Sequence, residues 1–214
     1  MRFELAIFDW NGTLFNDLSM LYKAIVAIFK HYRCKPPTLE ECRDGLSHNW
    51  IEFYRKCGLP KSVTPEELRE FRRNFVNNNW KGIGLFRDAK SAIVGCLKMK
   101  MKLAIVSAEQ ADFLLSRLSH HQLLSSFSEV LSQSYDKKSA FLKVLKKLSI
   151  PAEKAFYVDD TADGILEAKE AGLATFGMTR GYNSPERIRA AKPTYVIDTL
   201  DEMVKILESE GGKV

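Results

Sequence analysis

The chain opens on an apolar run, Phe3 to Phe8, that stops at a carboxylate, Asp9, and turns at once through Gly12 and Thr13. A short run this apolar reads as a buried strand. A buried strand that delivers a carboxylate at its C-terminal end, followed by a tight glycine loop, is how an open α/β sheet presents a reactive group at its ligand-binding edge. The remaining residues are then read for what they can add around Asp9.

The pattern after that strand is helical and stays so for a long stretch. Leu18, Leu21, Ile25, Ile28, Phe29 and Tyr32 recur at helical spacing, predicting a helix over 17–31. Pro36-Pro37 breaks it, and short helices are expected over 39–46 and 49–57, with Gly58 placed as a C-cap. Thr64-Pro65-Glu66-Glu67 is a helix start, with Thr64 as N-cap, Pro65 in the first turn and Glu67 closing a capping box. That helix runs to the Asn77-Asn78-Asn79 stretch, so residues 15–81 hold no strand candidate. From Gly82 onward short apolar runs alternate with helices. Strands are expected at 103–107, 129–132, 155–160, 174–178 and 195–197, and helices at 89–98, 109–118, 138–148, 164–171 and 201–208. Alternation of this kind predicts an α/β fold with a doubly wound parallel sheet. The domain division follows: an α/β core of 1–14 and 82–214, and an inserted all-helical cap of 15–81 placed over the C-terminal edge of the sheet.

Composition narrows the function classes. With 214 residues and 45% hydrophobic content a sizeable core can be buried. The net charge of +5 is mild, and the lysines read as solvated helix faces with no aromatic-basic interleaving, so no nucleic-acid partner is expected. The four cysteines, Cys34, Cys42, Cys57 and Cys96, form no C-x-x-C pair, which excludes thiolate metal spacing and fits a reducing compartment. There is no basic-then-apolar leader and no membrane-length apolar run, so a cytoplasmic protein without membrane association is expected.

Three strands end in polar groups: Asp9, Ser107 and the Asp159-Asp160 doublet, with Lys137 opening a helix between the last two. In a parallel sheet the C-terminal strand ends share one crevice. Carboxylates from two strands make a site for Mg²⁺, a hard ion that prefers oxygen. Hydroxyls, loop N–H groups and a lysine are what a phosphate requires.

These residues carry a family resemblance. Asp9-Trp10-Asn11-Gly12-Thr13-Leu14 resembles the first motif, D-x-D-G-T-L, of the haloacid dehalogenase-like (HAD) hydrolases. Val106-Ser107-Ala108 resembles their second motif, Lys137 falls at the spacing of the third-motif lysine, and Val158 to Asp163 resembles the acidic fourth. Gly181 to Pro185 is similar to a stretch near the C-terminus of phosphoglycolate phosphatase-like members, and the helical insert corresponds to the family's C1-type cap. The resemblance implies a Rossmann-like core and a phosphoric monoester hydrolase of small phosphorylated metabolites, either monomer or homodimer. Asp9 would be the nucleophile and Lys137 its electrostatic partner, with Lys138 next in register. Asp9, the Asn11 main-chain carbonyl, Asp160 and Asp163 would hold Mg²⁺, with assignment among Asp159, Asp160 and Asp163 left open. Gly12, Thr13, Ser107 and Ala108 would bind the phosphoryl group, and His48 of the cap would face the substrate.

One position departs from the pattern. Where the family usually has an acid that protonates the leaving group, this chain has Asn11. An amide can neither give nor take that proton, and the loss of general acid–base help is worth about 10²–10⁴ in rate. Three expectations follow: a slow enzyme or one that favours acyl and aryl phosphates, another acid standing in (His48 is the candidate), or a phosphate-binding module with weak catalysis.

Overall fold

The structure is a computed structural model that describes residues 3–79 and 82–211. Strands β1 (Leu5–Phe8), β2 (Lys102–Val106), β3 (Glu129–Leu131), β4 (Ala155–Asp159), β5 (Ala174–Met178) and β6 (Tyr195–Ile197) form one sheet in the order β3-β2-β1-β4-β5-β6. Every pairing is parallel, as the helix-separated apolar runs require. Phe8 lies opposite Ile105 of β2 and Val158 of β4, so the residue after it, Asp9, emerges between two neighbouring strand ends. The strand order reverses direction at β1, which is where open α/β sheets leave a crevice.

Side chains alternate across β1. Ala6 and Phe8 join a core layer with Phe156, Phe176, Ile93 and Leu207, while Leu5 and Ile7 join the opposite layer with Phe141, Val144 and Tyr157. Helices α5 (Ala89–Lys98) and α10 (Leu200–Gly211) cover the first face, and α7 (Lys137–Leu148) and α8 (Ala162–Glu170) the second. Each fully buried Phe, Leu or Ile contributes about 1.5–3 kcal/mol relative to exposure, and this two-sided burial is why the strands read as nearly unbroken apolar runs.

Between β1 and α5 the described residues form four helices, α1 (Leu18–His31), α2 (Leu39–Gly45), α3 (Trp50–Lys56) and α4 (Pro65–Asn79). They bury a cluster of their own around Ile25, Phe29, Tyr54 and Leu68. The capping box at α4 forms as expected: Glu67 N donates to Thr64 Oγ1 at 3.2 Å and Thr64 N to Glu67 Oε2 at 2.7 Å. The insertion leaves and re-enters the core through a paired neck, in which Asn16 N donates to Gly84 O and Phe86 N to Leu14 O. Phe15 stacks on Trp10 in the main core, and the expected end of the insertion, residue 81, lies outside the described residues.

Helix starts differ from expectation where a side chain takes an orphan N–H. Helix α6 (Ala111–His120) begins at Ala111, two residues late, because Glu109 N donates to Ser107 Oγ in a local turn. Helix α8 begins early, at Ala162, capped by Thr161, which accepts from Gly164 N. Helix α9 (Pro185–Ala190) was not anticipated, although Ser184 caps it and Pro185 opens it.

Candidate active site

The site is assembled from strand ends. Asp9 follows β1, Ser107 follows β2, Asp159 closes β4 and Asp160 follows it. Ligand oxygens of Asp9, Asp159 and Asp160 all lie within 4.8 Å of one another, and all three residues are buried. Lys137, the first residue of α7, reaches in from the N-terminal end of its helix. Its Nζ donates to Asp9 Oδ1 at 2.9 Å, Asp159 Oδ2 at 2.7 Å and Tyr157 OH at 2.7 Å. The neighbouring Lys138 points outward to Glu170 at 3.1 Å. The helix starts at Lys137 because Asp136 caps it, accepting from Ser139 N, and this aims one lysine inward and the next outward.

Burial dominates the electrostatics. It raises the Asp9 carboxyl to about 7 even though Lys137 pulls it down, and Asp159 adds to the rise. Asp160 is pushed well above the usual carboxylate range, first by burial and then by Asp159 and Asp9. For Lys137 burial works against the charge, and Asp159 and Asp9 outweigh it, so the ammonium is held above its ordinary value. Three buried carboxyl groups, two of them bridged by one ammonium, make a pocket of oxygen donors that carries more acidic groups than cations. A divalent hard cation fits that donor set and that charge. The space is also shaped for Asp160: a β-carbon at Gly12 or Gly181 would collide with its carboxylate. Asp160 is held in place by Thr13 Oγ1, which donates to Oδ1 at 2.7 Å, and by Tyr182 N, which donates to Oδ2 at 2.6 Å.

Donors for an anion are present beside these carboxylates. Ser107 Oγ accepts from Glu109 N, which leaves its own proton to give. Among the described residues, the N–H groups of Trp10, Asn11 and Ala108 donate to no protein acceptor. Gly12, at φ +76, gives its N–H to Phe15 O and to Asp17 Oδ1. The Thr13 hydroxyl proton goes to Asp160, so here Thr13 orients a carboxylate. Asp9 Oδ2 accepts no hydrogen bond from a described residue.

Two of the residues singled out in the sequence lie elsewhere. Asp163 Oδ2 accepts from His48 N at 2.7 Å, and the His48 ring sits against Glu167 at 3.0 Å, half exposed. Both belong to the seam between the insertion and α8, outside the three-carboxylate group. Arg180 forms a two-pronged pair with Asp88 at 2.6 and 2.8 Å and lies over Phe86. Conversely, Tyr157, Asp17, Glu109 and Tyr182 carry no signal in the sequence, since nothing in their spacing links them to Asp9. Asn11 Nδ2 donates to Asp17 Oδ2 at 2.7 Å and to Glu109 Oε2 at 3.2 Å. Tyr182 OH donates to the same Asp17 oxygen at 2.9 Å. Burial lifts the Asp17 carboxyl to about 6, with the Asn11 and Tyr182 hydrogen bonds opposing the rise.

A parallel sheet of this order, an insertion after its first strand, and an acidic cluster with a buried lysine at the strand ends define a class: doubly wound α/β proteins with a helical insertion and polar groups gathered at the C-terminal edge of the sheet. The haloacid dehalogenase-like hydrolase family matches residues 6–178, and the chain belongs to that family. It is 26% identical to a phosphoglycolate phosphatase of Vibrio parahaemolyticus, over 95% of this chain and 96% of that protein. It is 24% identical to phosphoglycolate phosphatase 1 of Pseudomonas aeruginosa, over 94% of this chain and 78% of the relative. Among solved structures, a predicted phosphatase from Clostridium acetobutylicum superposes with a TM-score of 0.81 at 16% identity, covering 98% of this chain and all of that one. A predicted phosphoglycolate phosphatase from Haemophilus somnus gives 0.79 at 22%, covering 97% and 99%. The chain is thus a phosphatase-like hydrolase of the HAD family, and among its described residues no helix is long and apolar enough to cross a membrane.

Proposed function

We propose that this protein is a Mg²⁺-dependent phosphatase of small phosphorylated metabolites that works through an aspartyl-phosphate on Asp9, and that it favours substrates whose leaving group departs without a proton. The observation that carries the reading is the state of Asp9: one oxygen is tied to Lys137, the other is open, and two further carboxylates stand beside it. Asp9, Asp160 and the Asn11 carbonyl would hold Mg²⁺, with Asp159 adjacent and Asp163 further out in the seam. Bound there, the ion would offset carboxylate charge and polarise phosphoryl oxygens.

The rest is done by side chains and backbone. Asp9 Oδ2 attacks phosphorus, the bond from phosphorus to the leaving oxygen breaks, and that oxygen departs as an anion. Lys137 offsets the charge on Asp9, while Ser107 Oγ–H and the open N–H groups of Trp10, Asn11 and Ala108 receive phosphoryl oxygens. Water then attacks phosphorus, the bond to Asp9 Oδ2 breaks, and both water protons leave on dihydrogen phosphate. Asn11 supplies no acid in the first half, which directs the site toward acyl and aryl phosphates.

A substrate panel with Mg²⁺ tests this, using acetyl phosphate and p-nitrophenyl phosphate beside phosphoglycolate, with Asp9→Asn as the blank. Activated phosphates should be hydrolysed, alkyl esters should lag by about 10²–10⁴, and chelation should abolish turnover. Rapid hydrolysis of phosphoglycolate would show that another group supplies the proton. Binding of a phosphate analogue with no turnover of any substrate would instead make this a phosphate-binding protein.

A further inference from the structure

We infer that Asp17 and Glu109 are positioning residues that lock the Asn11 amide, nitrogen toward themselves and oxygen toward the crevice, so that position 11 is a fixed hydrogen-bond acceptor and an acid cannot simply be restored there. This deepens the reading of a phosphatase acting at Asp9 and rests on it for its catalytic consequence. The geometry is direct. Asn11 gives one amide proton to Asp17 Oδ2 at 2.7 Å and the other toward Glu109 Oε2 at 3.2 Å. Ionised carboxylates only accept, so the amide has no choice of face; turned over, its oxygen would meet both of them.

Each partner is itself held. Asp17 Oδ1 accepts from Gly12 N at 3.1 Å and Oδ2 from Tyr182 OH at 2.9 Å, while Glu109 Oε1 accepts from Gln110 N at 2.9 Å. Glu109 is reached only because its own N–H turns back onto Ser107 Oγ and delays the start of α6. With both amide protons spent, Oδ1 is the free end of Asn11, and no described residue donates to it. Such an oxygen can hold a water O–H in place, but it takes up no proton.

The consequence concerns the obvious repair. Asp at position 11 alone would crowd three carboxylates within hydrogen-bond distance, where they must share a proton among themselves or spread apart, so position 11 would not present a free acid to the leaving group. Reversing the polarity of both contacts is the coherent change: Asn11→Asp with Asp17→Asn and Glu109→Gln gives one carboxylate flanked by two amides. The Gly12 N–H keeps an acceptor at position 17, and the Tyr182 hydroxyl can accept in place of donating.

The experiment compares wild type, Asn11→Asp and the triple variant on p-nitrophenyl phosphate and on an alkyl ester, with the Asn11 side-chain amide followed by NMR. Asn11→Asp alone is expected to lose at least tenfold on p-nitrophenyl phosphate. The triple variant is expected to recover it and to raise the ratio of alkyl-ester to aryl-ester turnover at least tenfold. In the wild type the two Asn11 amide protons should exchange slowly, and Asp17→Asn should release them. If Asn11→Asp alone raises alkyl-ester turnover as far as the triple variant does, or if the amide protons exchange freely in the wild type, the lock is refuted. Should the wild type hydrolyse no phosphate at all, the phosphatase reading falls, and the amide signals still decide whether Asp17 and Glu109 hold Asn11.

Discussion

At the scale of single residues, adjacent side chains of one type do opposite jobs. Lys137 is 5% exposed and bridges Asp9 and Asp159, whereas Lys138 pairs with Glu170 at the surface. Removing one partner of a buried pair leaves charge uncompensated and costs about 3–5 kcal/mol, whereas an exposed pair is worth about 0–1 kcal/mol. Lys137→Met should therefore both abolish turnover and lower metal-free stability, while Lys138→Met should shift stability by less than about 0.5 kcal/mol. Denaturant melts of the two variants, read beside their activity, check this; equal effects would mean that the two lysines are interchangeable. From sequence alone the two were one register apart. Asp136, which caps the helix and fixes its first residue, separates them.

At the level of elements, the insertion is fastened to the core by the last turn of α2 and the loop that leads to α3. Arg43 Nη2 donates to Thr179 O at 2.7 Å and Asn183 O at 3.0 Å, and Arg43 O accepts from Ser184 N. Asn183 and Arg187 both donate to Leu46 O, and His48 N donates to Asp163. These contacts join the insertion to the segment after β5 and to α8 and α9, the same segment whose Tyr182 N holds Asp160. A hydrogen bond from a charged donor is worth about 1.5–3 kcal/mol. Arg43→Ala should loosen the seam, seen as faster amide exchange over 43–49 and 179–184 with β1 and β2 unchanged. Unchanged exchange in both segments would show that the remaining contacts hold the seam without Arg43. The periodicity in the sequence located these helices but not the contacts between them, because most of the contacts run to backbone carbonyls, and all of them to partners far away in the chain.

At the scale of the whole molecule, the site is a cost to the fold. A carboxylate whose folded pKa lies above its unfolded value binds more protons folded than unfolded, so its contribution to stability falls as pH rises through that interval. For Asp9 the interval runs from 3.8 to about 7. In metal-free protein, Asp9→Asn should match the wild type near the bottom of that window and become the more stable of the two toward its top. The difference is of the order of 1–4 kcal/mol, a melting shift of several degrees for a chain of this length. Adding Mg²⁺ at neutral pH should then raise the wild-type Tm more than that of the variant. Melting curves of the two proteins that run parallel from acid to neutral pH would show that Asp9 is not strained by its burial.

The residue pattern alone pointed to the sheet, the helical insertion and the gathering of Asp9, Ser107 and the Asp159-Asp160 doublet at one edge of it, with Lys137 and Lys138 left as neighbouring choices. The reason is that buried parallel strands must be apolar throughout, so a polar residue at a strand end stands out, and parallel pairing brings such ends together. Which groups touch became visible once the chain was folded. The fold set Asp163 against His48 in the seam, spent the Thr13 hydroxyl on Asp160, and surrounded Asn11 with Asp17 and Glu109. Hydrogen-bond partners are fixed by direction and distance across chain separations as large as the 147 positions from Thr13 to Asp160, and no local pattern of residue types encodes that geometry.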